Sequence, residues 1–158
     1  KKLLISNSAG CLVKKWDIGD LMVINGYIDY TFRSSSNIPS TTLYNIHYPN
    51  KNKLKKIAKS IDINVREGIY AWTLGPNYET PSEVEDIISL GGNAVGMSTV
   101  PEIMKSIELG LDIIALSCFT NYGAGLEGKQ LSHSDVLEAS AWGSKDFTRL
   151  VNEIASLP

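Results

Sequence analysis

The hydrophobic and polar positions of the chain change period at residue 75, and the change predicts a strand followed by a helix. Residues 68–74 are aromatic and aliphatic without a charge, which is typical of a buried strand. Beyond Thr80 the period is helical, because Val84, Ile87 and Ile88 share one face. The loop between the two elements, which carries Tyr78 and Glu79, therefore leaves the carboxyl end of a strand, where open α/β sheets bind ligands.

The start of this helix has a recognisable capping pattern. Thr80 can serve as N-cap, Pro81 fits the first helical position, and Glu83 at the third position predicts a capping box. Glycines at 91 and 92 predict the end of the helix.

A second unit of the same kind follows. Residues 94–96 form a short apolar strand, and Thr99 and Glu102 repeat the Thr-x-x-Glu pattern. The helix after them is predicted to bury one apolar face, made of Val100, Ile103, Met104 and Ile107. Residues 112–119 predict a third buried strand, which Thr120 and Asn121 leave.

The remaining segments complete an α/β pattern. Residues 3–6 predict a strand and residues 7–10 (Asn-Ser-Ala-Gly) a small-residue turn, while residues 21–24 predict another strand. A long helix is expected from Ser132 to Leu157. We expect an α/β fold with a twisted, mostly parallel central sheet flanked by helices, in a single domain over residues 1–158. Because the chain opens in what reads as a central strand, the front portion of that fold is expected to be missing.

Three polar side chains follow successive predicted strands. Glu79, Ser98 and Asn121 each come at a strand exit, and Ser98 also precedes a helix N-terminus, which is suited to anions. Polar groups that converge at corresponding strand ends indicate a binding site better than any one of them alone.

Composition excludes several classes of function. A net charge of −2 and a pI near 5.7 give no electrostatic basis for binding nucleic acid or an anionic membrane. No apolar run is long enough for a membrane span, and no signal peptide is recognised. The chain has only two cysteines, Cys11 and Cys118, which indicates reduced thiols and a cytoplasmic setting. Neither has other potential metal ligands near it in the sequence.

The motifs also carry a resemblance to a known family. In order and spacing, three segments resemble the trimeric purine nucleoside phosphorylase family, which includes methylthioadenosine phosphorylases. The segments are residues 75–80 (Gly-Pro-Asn-Tyr-Glu-Thr), 94–102 (Ala-Val-Gly-Met-Ser-Thr-Val-Pro-Glu) and 120–121 (Thr-Asn). The resemblance covers nearly the whole chain but only the later part of the family's sequence. It implies a homo-oligomer, a trimer in this family, that acts on a purine nucleoside and phosphate without a cofactor or metal.

The resemblance implies roles for five residues at the base and the ribose. Asn121 would hydrogen-bond the purine at N7 and O6, Glu79 would accept from its N1 side, and Tyr78 would pack on the base. Met97 would line the ribose, and His133 would contact the 5′-hydroxyl. Asn121 in place of an aspartate suggests 6-oxopurine nucleosides.

Phosphate would be held by Ser98 and by the backbone N–H of Ser8. Ser8 stands where the family's Asn-Ala-Ala-Gly turn has an alanine, and the family's early phosphate-binding segment precedes the region where this chain begins. The implied reaction is phosphorolysis of the N-glycosidic bond, giving free base and (deoxy)ribose 1-phosphate in purine salvage. Two alternatives stay open: a non-catalytic purine-binding or subunit-interaction relic of the family, and a methylthioadenosine phosphorylase.

Overall fold

A computed structural model of the protein describes residues 2–32, 40–42, 51–127 and 145–156. Strands and helices alternate through most of this range, as the sequence predicts. The strands are β1 (Lys2–Cys11), β2 (Leu21–Asp29), β3 (Ser40–Thr42), β4 (Val65–Trp72), β5 (Ala94–Gly96) and β6 (Asp112–Tyr122). The helices are α1 (Lys51–Ser60), α2 (Pro81–Ser89) and α3 (Val100–Glu108), and residues 145–155 are also helical.

The strands form one mixed sheet in the order β3-β2-β4-β5-β1-β6, and β6 also pairs with β2. The long ladders, β1 with β6 and β2 with β4, are parallel, as is β4 with β5. Short antiparallel ladders join β1 to β5, β2 to β3 and β2 to β6. The predicted α/β class with a mostly parallel sheet is confirmed. The sheet contains two parallel groups that run in opposite directions, β2-β4-β5 and β1-β6.

The turn predicted at residues 7–10 is wrong, because β1 continues through them to Cys11. Small polar residues favour turns only weakly, and here β6 supplies a parallel partner for every position from Lys2 to Cys11. The irregularity that does occur is a register shift after Ala9, at which Thr120 is the extra residue of β6. Ser8 therefore lies within a strand.

Gly10 lies where β1 of one parallel group meets β5 of the other. It pairs with Asn121 of β6 on one side and with Val95 of β5 on the other. A Cβ atom at Gly10 would lie 3.2 Å from the side-chain nitrogen of Asn121 and 3.2 Å from Cγ1 of Val95. The missing side chain thus lets Asn121 lie against the end of β5.

The first predicted capping box is confirmed. The Thr80 hydroxyl accepts from the backbone N–H of Glu83 at 3.3 Å, and the Glu83 carboxylate accepts from the backbone N–H of Thr80 at 2.7 Å. α2 then runs to Ser89, and Gly91 has a positive φ of 93° just beyond its end.

The second predicted capping box, at Thr99 and Glu102, is wrong. Thr99 has φ 79° and ψ −40° and makes no capping hydrogen bond with its side chain. Its hydroxyl instead accepts from Nδ2 of Asn7 at 2.7 Å, a contact across 92 positions of the sequence. A long-range contact has replaced the local one.

Three apolar clusters hold the helices on the sheet. One lies under α3, one under α1 and the helix at 145–155, and one under α2. The most deeply buried helical side chains are Leu54, Ala58, Val84, Ile87, Val100, Ile103 and Leu150. Ile88, Met104 and Ile107, which the periodicity assigned to buried faces, are 38–47% exposed. Each nine-residue helix therefore buries a narrower stripe than its apolar pattern predicts.

Candidate active site

Six of the seven side chains singled out from the sequence line one cavity of about 210 Å³. They come from the loops after β4 and β5 and from the later parts of β1 and β6: Tyr78, Glu79, Met97, Ser98, Ser8 and Asn121. A larger cavity of about 550 Å³ lies between α1 and the start of β4, lined by Lys55, Lys59 and Asp62 among others. None of the predicted site residues lines it, so the smaller cavity is the candidate site.

Glu79 is held by a threonine at the end of β4. The Thr73 hydroxyl donates to Oε1 of Glu79 at 2.6 Å, and the backbone N–H of Thr73 donates to the carbonyl of Gly96 at 2.9 Å. Thr73 is 7% exposed, and its hydroxyl also lies 3.3 Å from the carbonyl of Gly96, so Glu79 is the nearer of two acceptors for its proton. Within the described ranges, the second carboxylate oxygen of Glu79 has no hydrogen-bond partner and is left for a ligand N–H.

Asn121 is oriented by its two sequence neighbours. Its Oδ1 accepts from the Thr120 hydroxyl at 2.9 Å, and its Nδ2 donates to the carbonyl of Tyr122 at 2.9 Å. An amide nitrogen has two protons and an amide oxygen two lone pairs, so one donor and one acceptor position are left over. A partly buried amide with one of each suits the polar edge of a heterocyclic base.

Ser98 lies in the three-residue link between β5 and α3. Its hydroxyl is 3.1 Å from that of Thr99, and its backbone N–H donates to the Tyr70 hydroxyl at 3.4 Å. Tyr70 is fully buried, and burial raises its pKa to about 12, so it stays a neutral hydroxyl. Exposed Ser98, directly before a helix N-terminus, has the placement of an anion-binding residue.

Two half-exposed apolar side chains, Tyr78 and Met97, complete the lining, with 40% and 37% of their surface accessible. Gly75 lies against the side chain of Met97, which occupies the space that a Cβ atom at residue 75 would need. The φ of 65° at Gly75 is also one that residues with side chains rarely adopt. Gly75 thus allows Met97 to cover the loop that carries Tyr78.

The two remaining predicted residues differ in outcome. Ser8 is exposed and lines the cavity from β1, opposite Cys118 in the ladder, and not from the turn that the sequence suggested. His133 lies outside the described residues.

The family model described as "Phosphorylase superfamily" matches residues 1–156. The chain belongs to the phosphorylase superfamily. The resemblance drawn from the sequence motifs is confirmed by this match and by similarity to purine nucleoside phosphorylases.

Three similar phosphorylases illustrate the relationship. Purine nucleoside phosphorylase 1 of Geobacillus stearothermophilus is 33% identical over 98% of this chain, and a probable 6-oxopurine nucleoside phosphorylase of Moorella thermoacetica is 30% identical over 96% of it. A crystal structure of Schistosoma mansoni purine nucleoside phosphorylase with inosine superposes on the whole chain with a TM-score of 0.85 at 26% identity. The chain spans 60–62% of the length of these three relatives.

The sequence did not predict the residues that hold the site side chains in place. Thr73 donates a hydrogen bond to Glu79, and Tyr70 accepts one from the backbone of Ser98. Asn7 donates one to Thr99. Each is a hydroxyl or amide in or directly after a strand, and only Tyr70 and Thr73 stand among apolar neighbours that could have signalled them.

In the described part of this phosphorylase-superfamily chain, no three His, Cys, Asp or Glu side chains group as metal ligands. Among the helices in the same ranges, none has the length and apolar character needed to cross a membrane.

Proposed function

We propose that the protein is a purine nucleoside phosphorylase that cleaves 6-oxopurine ribonucleosides and deoxyribonucleosides with phosphate. The observation that carries the proposal is the convergence of Glu79, Asn121 and Ser98 on one cavity from three different strands. The names of similar proteins, which include purine and probable 6-oxopurine nucleoside phosphorylases, support the same reaction.

The proposed base pocket uses complementary hydrogen-bonding groups. A 6-oxopurine presents an N–H at N1 and acceptors at O6 and N7. The free oxygen of Glu79 would accept from N1, and the one remaining N–H of Asn121 would be shared between O6 and N7. The ring of Tyr78 would pack on the base.

The proposed chemistry needs no protein nucleophile. A phosphate oxygen attacks C1′ as the bond from C1′ to N9 breaks, and the electron pair of that bond leaves with the purine. Catalysis then consists of holding phosphate at Ser98 and Ser8, lining the ribose with Met97, and stabilising the purine as it gains negative charge. His133 is proposed to contact the 5′-hydroxyl.

We propose further that the protein works as a homotrimer in the cytoplasm, in purine salvage, with phosphate as co-substrate and no cofactor. The homotrimer and the role in purine salvage rest on the resemblance to the family. The cytoplasmic setting rests on the two cysteines, and the single-domain organisation over residues 1–158 rests on the length and α/β pattern of the chain. Sedimentation of the purified protein tests the trimer directly.

The test of the activity is release of hypoxanthine from inosine with and without phosphate. We expect phosphate-dependent turnover that falls about a hundredfold or more in Glu79→Ala and in Asn121→Ala. Asn121→Ala removes a donor to the developing negative charge, and Glu79→Ala removes the acceptor that holds the base through N1. Ser82→Ala, an exposed serine on α2, is the matched control.

The outcomes separate the alternatives. Binding of hypoxanthine without any turnover would instead favour a non-catalytic purine-binding protein. Faster cleavage of methylthioadenosine than of inosine would favour a methylthioadenosine phosphorylase. The S. mansoni relative has been crystallised with inosine and with adenosine, so adenosine belongs in the substrate panel.

A further inference from the structure

Asn7 connects the first strand to the link that carries Ser98. Its Nδ2 donates to the Thr99 hydroxyl at 2.7 Å, and Thr99 is 2% exposed. Thr99 also has a left-handed φ of 79°, which costs conformational energy for a β-branched residue and persists only where neighbouring contacts hold it. The hydrogen bond from Asn7 is such a contact.

The bond from Asn7 also sets the direction of the next one. An amide nitrogen only donates, so the Thr99 oxygen accepts from Asn7 and keeps its single proton for another partner. The Ser98 oxygen lies 3.1 Å away and can accept that proton. Ser98 then has its own proton free, and this hydroxyl lines the candidate site.

A second observation concerns the other end of the Asn7 amide. Asn7 and Ser117 are partners in the β1–β6 ladder, so their side chains share one face of the sheet, the face that packs under α3. Among the described residues, neither Oδ1 of Asn7 nor the hydroxyl oxygen of Ser117 has a hydrogen-bond partner, although both atoms are buried. Asn7 and Ser117 are neighbours in the ladder, but no hydrogen bond joins the Ser117 hydroxyl to Oδ1, so the bond that orients the Asn7 amide is the one from Nδ2 to the Thr99 hydroxyl.

Two polar side chains within an apolar cluster reduce the stability of the fold relative to apolar residues of the same size. A role at the site explains why they are present. We infer that Asn7 is a positioning residue, whose amide fixes the hydrogen-bond chain from Asn7 through Thr99 to Ser98 so that the Ser98 proton points at a bound phosphate oxygen. The inference rests on the phosphate role proposed above for Ser98.

The decisive variants are Asn7→Asp and Thr99→Val. A carboxylate at residue 7 accepts the Thr99 proton, which reverses the chain and turns the Ser98 proton away from phosphate. Valine at residue 99 breaks the chain with little change of shape. We expect either change to raise the KM for phosphate roughly tenfold while the KM for inosine stays within about twofold.

Asn7→Leu separates positioning from structure. Leucine suits the apolar cluster, so the melting temperature of the Asn7→Leu variant is expected to equal or exceed that of the unchanged protein. Its affinity for phosphate is expected to fall. A purely structural role would move stability and phosphate affinity in the same direction. Asn64→Asp is the control for the charge that Asn7→Asp adds. Asn64 is exposed and lies just before β4, at the end of that strand away from the candidate site.

Phosphate binding by calorimetry provides the same test without turnover, with Ser98→Ala as reference. If Ser98→Ala weakens phosphate binding but Asn7→Asp, Asn7→Leu and Thr99→Val do not, the positioning role is overturned and the proposed function stands. If Ser98→Ala has no effect, or the unchanged protein binds no phosphate, the phosphate role of Ser98 and the positioning role of Asn7 both fail. In the double variant Thr99→Val with Ser98→Ala, we expect no further loss beyond Ser98→Ala.

Discussion

The Thr73 hydroxyl lies 2.6 Å from Oε1 of Glu79 and donates a hydrogen bond to it. The contact joins the end of β4 to the carboxylate six residues later, which the loop would otherwise leave free to rotate. A charged acceptor makes such a bond stronger than one between neutral groups. The orientation of Glu79 is therefore a property of the strand end as much as of the loop.

Thr73→Val is expected to weaken binding of hypoxanthine about tenfold, because Glu79 loses the donor that orients it. Calorimetry with the free base measures the effect without phosphate. Thr73→Ser keeps the hydroxyl and should restore most of the affinity. Equal affinity in Thr73→Val and the unchanged protein would show that the loop alone positions Glu79.

Asn121→Asp is expected to shift the base preference from 6-oxo toward 6-amino purines. A carboxylate has no N–H for O6 but accepts from an exocyclic amine. The ratio of kcat/KM for inosine to kcat/KM for adenosine should fall about tenfold or more. A ratio that stays constant while both activities fall would assign Asn121 to general positioning instead of base selection.

The two Thr-x-x-Glu motifs provide a matched pair for stability. Glu83→Ala removes the reciprocal bond to the backbone of Thr80, and we expect it to lower the free energy of unfolding by about 1 kcal/mol. Glu102→Ala removes an acid at the same position of α3, where no capping bond forms, and only the smaller interaction with the helix dipole is lost. Urea unfolding of both variants measures the difference, and equal losses would contradict the capping role.

Stability is expected to fall above pH 9. Burial raises the pKa of Cys11 from 9.0 to about 11 and that of Tyr70 from 10.0 to about 12. At a pH between the unfolded and the folded pKa of either group, the unfolded chain has released a proton that the folded chain keeps. The free energy of unfolding therefore decreases as the pH rises, by up to about 1.4 kcal/mol per pH unit for each group. Below pH 9 neither group contributes a slope.

Urea unfolding of the unchanged protein and of Cys11→Ala between pH 8 and 10.5 checks this dependence. The alanine variant should show a shallower decline. Some decline remains because burial also raises the pKa values of Cys118, Tyr30, Tyr70 and Tyr122. Identical slopes would mean that the Cys11 thiol ionises in the folded protein as it does in the unfolded chain.

The sequence predicted the α2 boundary well because the signals there are local. Thr80, Pro81 and Glu83 lie within one turn, and each interaction that they make is with the others or with the adjacent backbone. The same reasoning failed at Thr99 because its partner, Asn7, is 92 positions away. No local pattern reports such a competitor.

Glu79 and Ser98 lie at strand exits as the sequence predicted, but Asn121 lies within β6, and the geometry that brings the three to one cavity was not predictable. The sequence suggested corresponding ends of parallel strands, which holds for Glu79 and Ser98 after β4 and β5. Asn121 belongs to β6, which runs in the opposite direction, and it reaches the site through its place beside Gly10. Strand direction is decided by long-range pairing, which periodicity alone does not reveal.

The pairing of β1 with β6 has a consequence for biosynthesis. Lys2 lies opposite Asp112 and Cys11 opposite Tyr122. About 110 further residues must therefore be synthesised after β1 before its parallel partner, β6, leaves the ribosome. Such non-local pairing forms slowly, and an unpaired strand edge is prone to aggregate in the meantime. Ser8 and Asn121, which lie on these two strands, are brought together only in that step, so the candidate cavity is not complete before β6 has docked.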